Sequence, residues 1–86
     1  MDLNQLINII KKKISDSINV DSIRVEDKTF LHKKHHSFIK GKFHIKLIIK
    51  SDELRKKNRI ESTKIVNRIL NEEIKNYIHS IQIFFK

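Results

Sequence analysis

The sequence predicts a small α+β domain in the order helix, strand, strand, turn, helix, strand. Helices should cover one face of a three-stranded mixed sheet. Two periodicities carry this. Apolar residues recur at helical spacing near the N-terminus and again in the second half of the chain. Between and after them, apolar residues alternate with polar ones, as in half-buried strands. The length supports the same class, because 86 residues fit one small domain, expected to span residues 1–86. A layer of helices on one sheet face buries the apolar sides of both.

The first helix is marked by Leu3, Leu6, Ile7, Ile10, Ile14 and Ile18. Asn4, Gln5, Lys11 and Ser15 fall largely on its other side, Asp2 can cap or charge its start, and it should end near Ser17, Ile18 and Asn19. A membrane-surface helix has a similar pattern, but packing on a sheet is the commoner use. Ser22 to Glu26 reads as a short strand, with Ile23 and Val25 alternating against polar neighbours. Lys28 to Lys42 is polar, basic and rich in histidine, and reads as a long loop between antiparallel strands, with Phe38 and Ile39 anchoring its return.

Phe43 to Lys50 is the clearest strand. Phe43, Ile45, Leu47 and Ile49 take one face, His44, Lys46 and Lys50 the other, and Ile48 breaks the pattern and should sit under the loop. Alternation therefore expects His44 to face solvent. Ser51 can cap a helical turn, with Asp52 and Glu53 at its positive end. A basic linker follows, then a helix whose buried stripe should be Ile65, Ile69, Leu70 and Ile74, flanked by Val66. Asn76 and Tyr77 form a short connection to the last strand, Ile78 to Phe85. One core should gather Ile10, Ile14, Val25, Ile45, Leu47, Ile69 and Ile81.

Composition excludes several functions. Gly41 is the sole glycine and proline is absent, so a glycine-rich phosphate loop is ruled out. Without cysteine the chain has no disulfide, thiolate nucleophile or cysteine-based zinc site. No apolar run approaches the ~20 residues of a membrane span, and the N-terminus lacks a secretory pattern. Serines stand outside any His/Asp constellation, and Glu72 and Glu73 point in different directions on a helix, so no catalytic set emerges. The formal net charge is +9, which attracts phosphate backbones and acidic proteins. A solvated lysine surface under AT-rich coding bias explains the same charge, since the lysines are scattered.

Two residue groups can carry chemistry. The first is the histidines His32, His35, His36, His44 and His79, because neutral imidazole is a common ligand of transition metals. Spacing alone does not bring His32 to His79, and a histidine at a strand start is often only a partly exposed residue bonding a carbonyl. The second is Arg55, Lys56, Lys57 and Arg59, followed on the helix by Lys64 and Arg68, which together could bind DNA or RNA phosphates. A solvated basic face is the competing explanation.

Several weak signals are collinear. A segment Val25-Glu26-Asp27-Lys28-Thr29-Phe30-Leu31-His32 precedes a strand leading into Ser51-Asp52. A helix then carries Glu72-Glu73-Ile74, and Ile78-His79 opens the last strand. In this order the chain resembles the BolA-like family. The resemblance implies a class II KH-like topology and a non-enzymatic protein. It further implies a 2Fe-2S cluster shared with a monothiol glutaredoxin and glutathione. His79 would be the strand ligand and His32 the loop ligand, with His35 or His36 as substitutes. His44 matches a histidine that family members often carry before this strand, and is a minor candidate. The isolated chain should be a monomer without cofactor, in an intracellular setting that is cytoplasmic or nuclear, with mitochondria left open. Some family members are transcription regulators, which makes nucleic-acid binding through the basic segment the alternative. The sequence departs from the family at the start of the main helix. Ser62, Thr63 and Lys64 stand where the family usually has Arg-His-Arg, and the family's Thr-Pro-x-Glu-Trp-like tail is not matched.

Overall fold

A computed structural model describes residues 2–28 and 42–86. The expectations for His32, His35, His36, Phe38 and Ile39 fall outside the described residues. The elements are α1 (Leu3–Ser17), β1 (Ser22–Asp27), β2 (Phe43–Lys50), α2 (Asp52–Arg55), α3 (Arg59–Ile69), α4 (Asn71–Asn76) and β3 (Ile78–Phe85).

Helix α1 starts where its sequence can satisfy the free amides of a first turn. Asp2 Oδ1 accepts the Gln5 amide at 2.8 Å, and the Asp2 amide donates back to Gln5 Oε1 at 3.1 Å. This reciprocal pair is a capping box. Leu6, Ile10 and Ile14 then fall on one side and are fully buried.

The strands lie in the order β1-β2-β3. β1 and β2 are antiparallel, β2 and β3 parallel. A parallel neighbour needs a long crossover, which α2, α3 and α4 supply. Leu47 pairs with Val25 on one side and Ile83 on the other. Ile45, Leu47 and Ile49 therefore share one face with Ile23, Val25, Ile81, Ile83 and Phe85, and this face packs into the core with α1 and α3. The expected core residues Ile10, Ile14, Ile45 and Leu47 are buried, while Val25, Ile69 and Ile81 pack partly buried against them.

The second helical segment differs from the expectation. Leu70 leaves helical geometry at φ −99° and ψ 18°, dividing the segment into α3 and α4. Val66 is fully buried rather than flanking, and Ile65, Ile69 and Ile74 are the flanking residues. The buried line is Ser62, Val66, Leu70 and Glu73. These positions are spaced by four, four and three, which is one helix face. Two polar members hid it from a reading based on hydrophobicity. Ser62 Oγ donates to the Leu54 carbonyl at 2.9 Å, tying α3 to α2. Glu73 accepts from Lys13 Nζ at 2.8 Å, tying α4 to α1. Its carboxylate holds the Lys13 ammonium pKa above the usual lysine value, chiefly through that hydrogen bond.

Candidate functional site: the histidine bulge and the basic cleft

The pairing of β2 with β3 begins irregularly. Phe43 aligns with Ile78, but His44 aligns with Ser80, so His79 is the extra residue of a β-bulge. Strands use such bulges to re-aim a side chain. The Phe43 amide donates to the Tyr77 carbonyl at 2.9 Å below the bulge, and the ladder then runs to Phe85 opposite Ile49.

The bulge brings two imidazoles together. The rings of His44 and His79 meet edge to face, with centroids 4.8 Å apart and planes at 65°. His44 Nδ1 and Ser80 Oγ are hydrogen-bonded at 2.7 Å, and either can donate according to the imidazole tautomer. The backbone there is also tied, because the Lys28 amide donates to the His44 carbonyl at 2.7 Å.

The expectation that His44 faces solvent is overturned. Its side chain does lie on the face away from Ile45 and Leu47, as alternation requires, yet the residue is only 2% exposed. Facing away from the core is not the same as facing water. The bulged His79 ring and the Ser80 hydroxyl both crowd it from β3. His79 is half-buried. The His44–His79 contact was missed in the sequence because it depends on register. The sole sequence signal was that both positions carry histidine.

The donor set limits what this site can hold. Among the described residues no group of three or more His, Cys, Asp or Glu side chains converges on one point. The bulge offers imidazole nitrogen only, and the chain has no thiolate. A 2Fe-2S cluster needs thiolate on at least one iron, so it fits here only if another molecule supplies the sulfur ligands.

The basic residues divide into two sets. Arg55, Lys57 and Arg59 line one cleft of about 280 Å³, together with Phe84 and Phe85 at the end of β3. Lys56, Lys64 and Arg68 are exposed and do not line it. Arg55 is ion-paired with Asp52. The start of α3 is itself capped, because Asn58 Oδ1 accepts the Glu61 amide at 2.8 Å. A third charged group lies on the sheet face opposite the helices. Glu26 bridges Lys28 at 3.0 Å and Arg24 at 3.1 Å. The Lys28 hydrogen bond is the main reason its carboxyl is held below the usual glutamate pKa.

Comparison with known proteins gives one family and one fold. The family described as BolA-like protein matches residues 14–86. No curated protein sequence matches the chain. Among solved structures, the BolA domain of SufE1 from Arabidopsis thaliana superposes with a TM-score of 0.79 at 22% identity, covering 100% of this chain and 94% of that one. BolA1 from Arabidopsis thaliana gives 0.77 at 18% identity, covering 94% and 89%. A bol-like protein from Babesia bovis gives 0.69 at 14% identity, covering 91% and 79%. At these identities the structural likeness shows a shared fold. No described helix is long and apolar enough to cross a membrane.

Proposed function

This chain belongs to the BolA-like protein family, and on that premise we propose that it is a non-enzymatic adaptor for a monothiol glutaredoxin. In this reading the two proteins and glutathione share a 2Fe-2S cluster. The supporting observation is the bulge, which sets a half-buried His79 imidazole at the start of β3 and backs it with the ring of His44. His44 is itself fixed by Ser80, so it limits how the His79 ring can turn. Orientation of a ligand by its neighbours is what tunes a metal site. His79 is thus the strand ligand and His44 a positioning residue. His32, outside the described residues, is the loop ligand, with His35 or His36 as substitutes. Imidazole ligation on one iron raises the cluster's reduction potential relative to all-thiolate ligation. The partner and glutathione supply the sulfur that this chain lacks.

The test mixes the protein with a cluster-loaded monothiol glutaredoxin and glutathione and records visible absorption and circular dichroism. The wild-type mixture should show a heterodimer with an imidazole-ligated cluster, and the protein alone should bind none. The H79A variant should fold and lose that spectrum. The H32A variant should weaken it. Acidification should also weaken it, because protons compete with iron for imidazole. A folded H79A variant with an unchanged cluster spectrum would refute the assignment.

One observation supports a second reading, a nucleic-acid-binding regulator. It is the convergence of Arg55, Lys57 and Arg59 beside Phe85, since cations and an aromatic ring together suit phosphates and bases. Two features oppose it. The connection from α2 to α3 is Lys56-Lys57-Asn58, with no Gly-x-x-Gly clamp for a nucleic-acid backbone. The first turn of α3 also carries Glu61, which repels phosphate.

A further inference from the structure

We infer that the outer edge of β3 is a docking site for an extended acidic segment of a partner protein, which adds to the sheet as a fourth strand beside α3. The inference is independent of the cluster reading, because none of its residues is a proposed ligand.

β3 pairs with β2 on one side and has no strand on the other among the described residues. The Lys86 amide donates inward to the Ile49 carbonyl at 2.8 Å. The register between Ser80 and Phe85 runs without a shift, so the directions alternate. The amides and carbonyls of Ile81, Ile83 and Phe85 therefore point outward. Such a row of backbone groups is a template for another strand. Outward residues recur every ~6.7 Å, so Ile81 to Phe85 would match about five residues of a partner strand.

Room and charge agree with the edge. A cavity of about 410 Å³ runs between Ile81–Phe84 and the α3 residues Arg59, Thr63 and Asn67. It adjoins the basic cleft, with Arg59 and Phe84 lining both. A groove between an edge strand and a helix is the geometry of peptide recognition by strand addition, in which main-chain hydrogen bonds give affinity and pockets give specificity. Here the pocket end offers Leu54 and Phe85 to an apolar side chain, and Lys57 and Arg59 to carboxylates. Neither cation is held in an ion pair among the described residues. A peptide strand satisfies the outward amides and carbonyls in register. A nucleic-acid backbone has no amide donors and would meet Glu61.

The probe is a short, end-blocked peptide alternating glutamate with valine around a central phenylalanine. Its control has lysine in place of glutamate, and a single-stranded oligonucleotide forms a third arm. Amide hydrogen exchange of the full chain is read residue by residue. In the free protein the Ile81, Ile83 and Phe85 amides should exchange faster than those of Gln82 and Phe84. The acidic peptide should slow the first three by about tenfold or more and leave the alternate amides nearly unchanged. That alternation separates strand addition from diffuse attraction to a +9 chain. The K57E/R59E double variant should weaken peptide binding by about tenfold or more. N67W, at an exposed position, should block the groove while leaving the fold intact. The inference is overturned if the three outward amides are already protected, or if the acidic peptide fails to protect them. It is also overturned if the lysine control protects them equally, or if only the oligonucleotide does so.

Discussion

Replacing Leu47 by alanine tests which face of β2 is the core. Leu47 is fully buried in the central strand, between Val25 and Ile83 and facing the helices. Its neighbour Ile48 is half-buried on the opposite face, paired with Arg24 and Phe84. Removing three carbons from a buried leucine forfeits about 2.5 kcal/mol of transfer free energy, at ~0.8 kcal/mol per methylene. The residual cavity raises the cost to roughly 3–5 kcal/mol, because central-strand neighbours relax little. A domain of this size is expected to have only about 5–12 kcal/mol in total. The thermal midpoint should then fall by roughly 12 °C or more. Ile48→Ala removes a similar volume from a half-wet site and should cost about 1 kcal/mol. Urea denaturation followed by far-ultraviolet circular dichroism reads both, provided the slope with denaturant stays constant. If Ile48→Ala costs as much as Leu47→Ala, the assignment of faces is wrong.

Ser51→Ala should cost about 1–2 kcal/mol in the same assay. The Ser51 hydroxyl donates to the Asn19 carbonyl at 2.7 Å and accepts the Leu54 amide at 3.3 Å, and the residue is 1% exposed. Glu26 gives a pH signature. Its folded pKa lies below the ordinary 4.5, so its stabilising effect is present above that value and is lost as pH falls through the folded pKa. Glu26→Gln should remove that part of the acid limb of a stability profile. Lys13 behaves oppositely, because its pKa is raised above 10.5. Its contribution is complete below 10.5 and is lost as pH rises through the higher folded value, so Glu73→Gln should flatten the alkaline limb. If nucleic acid binds at the basic cleft, which Lys57 and Arg59 line and Lys56 does not, K57E/R59E should weaken a salt-sensitive complex more than K11E/K12E. Equal losses would indicate general attraction.

The sequence alone determined the fold class and most of its elements, because both periodicities report a buried face directly. Alternation from Phe43 to Lys50 set the limits of β2, and the pattern from Ile78 set those of β3. Helix α1 was legible from its apolar stripe and from the Asp2 cap. What failed did so where polar groups enter the interior. Ser62 and Glu73 are buried because each has a partner from another element, Leu54 and Lys13, and no local pattern announces such a partner. Histidine 79 could be singled out by its place in the chain, but its setting could not. The contact with His44 exists because one extra residue in β3 shifts the register. The groove beside β3 likewise depends on that strand being at the edge, next to α3. Periodicity shows which way a side chain points along its own strand. The neighbours it meets there depend on how strands far apart in the chain are paired, and that is decided only when the sheet assembles.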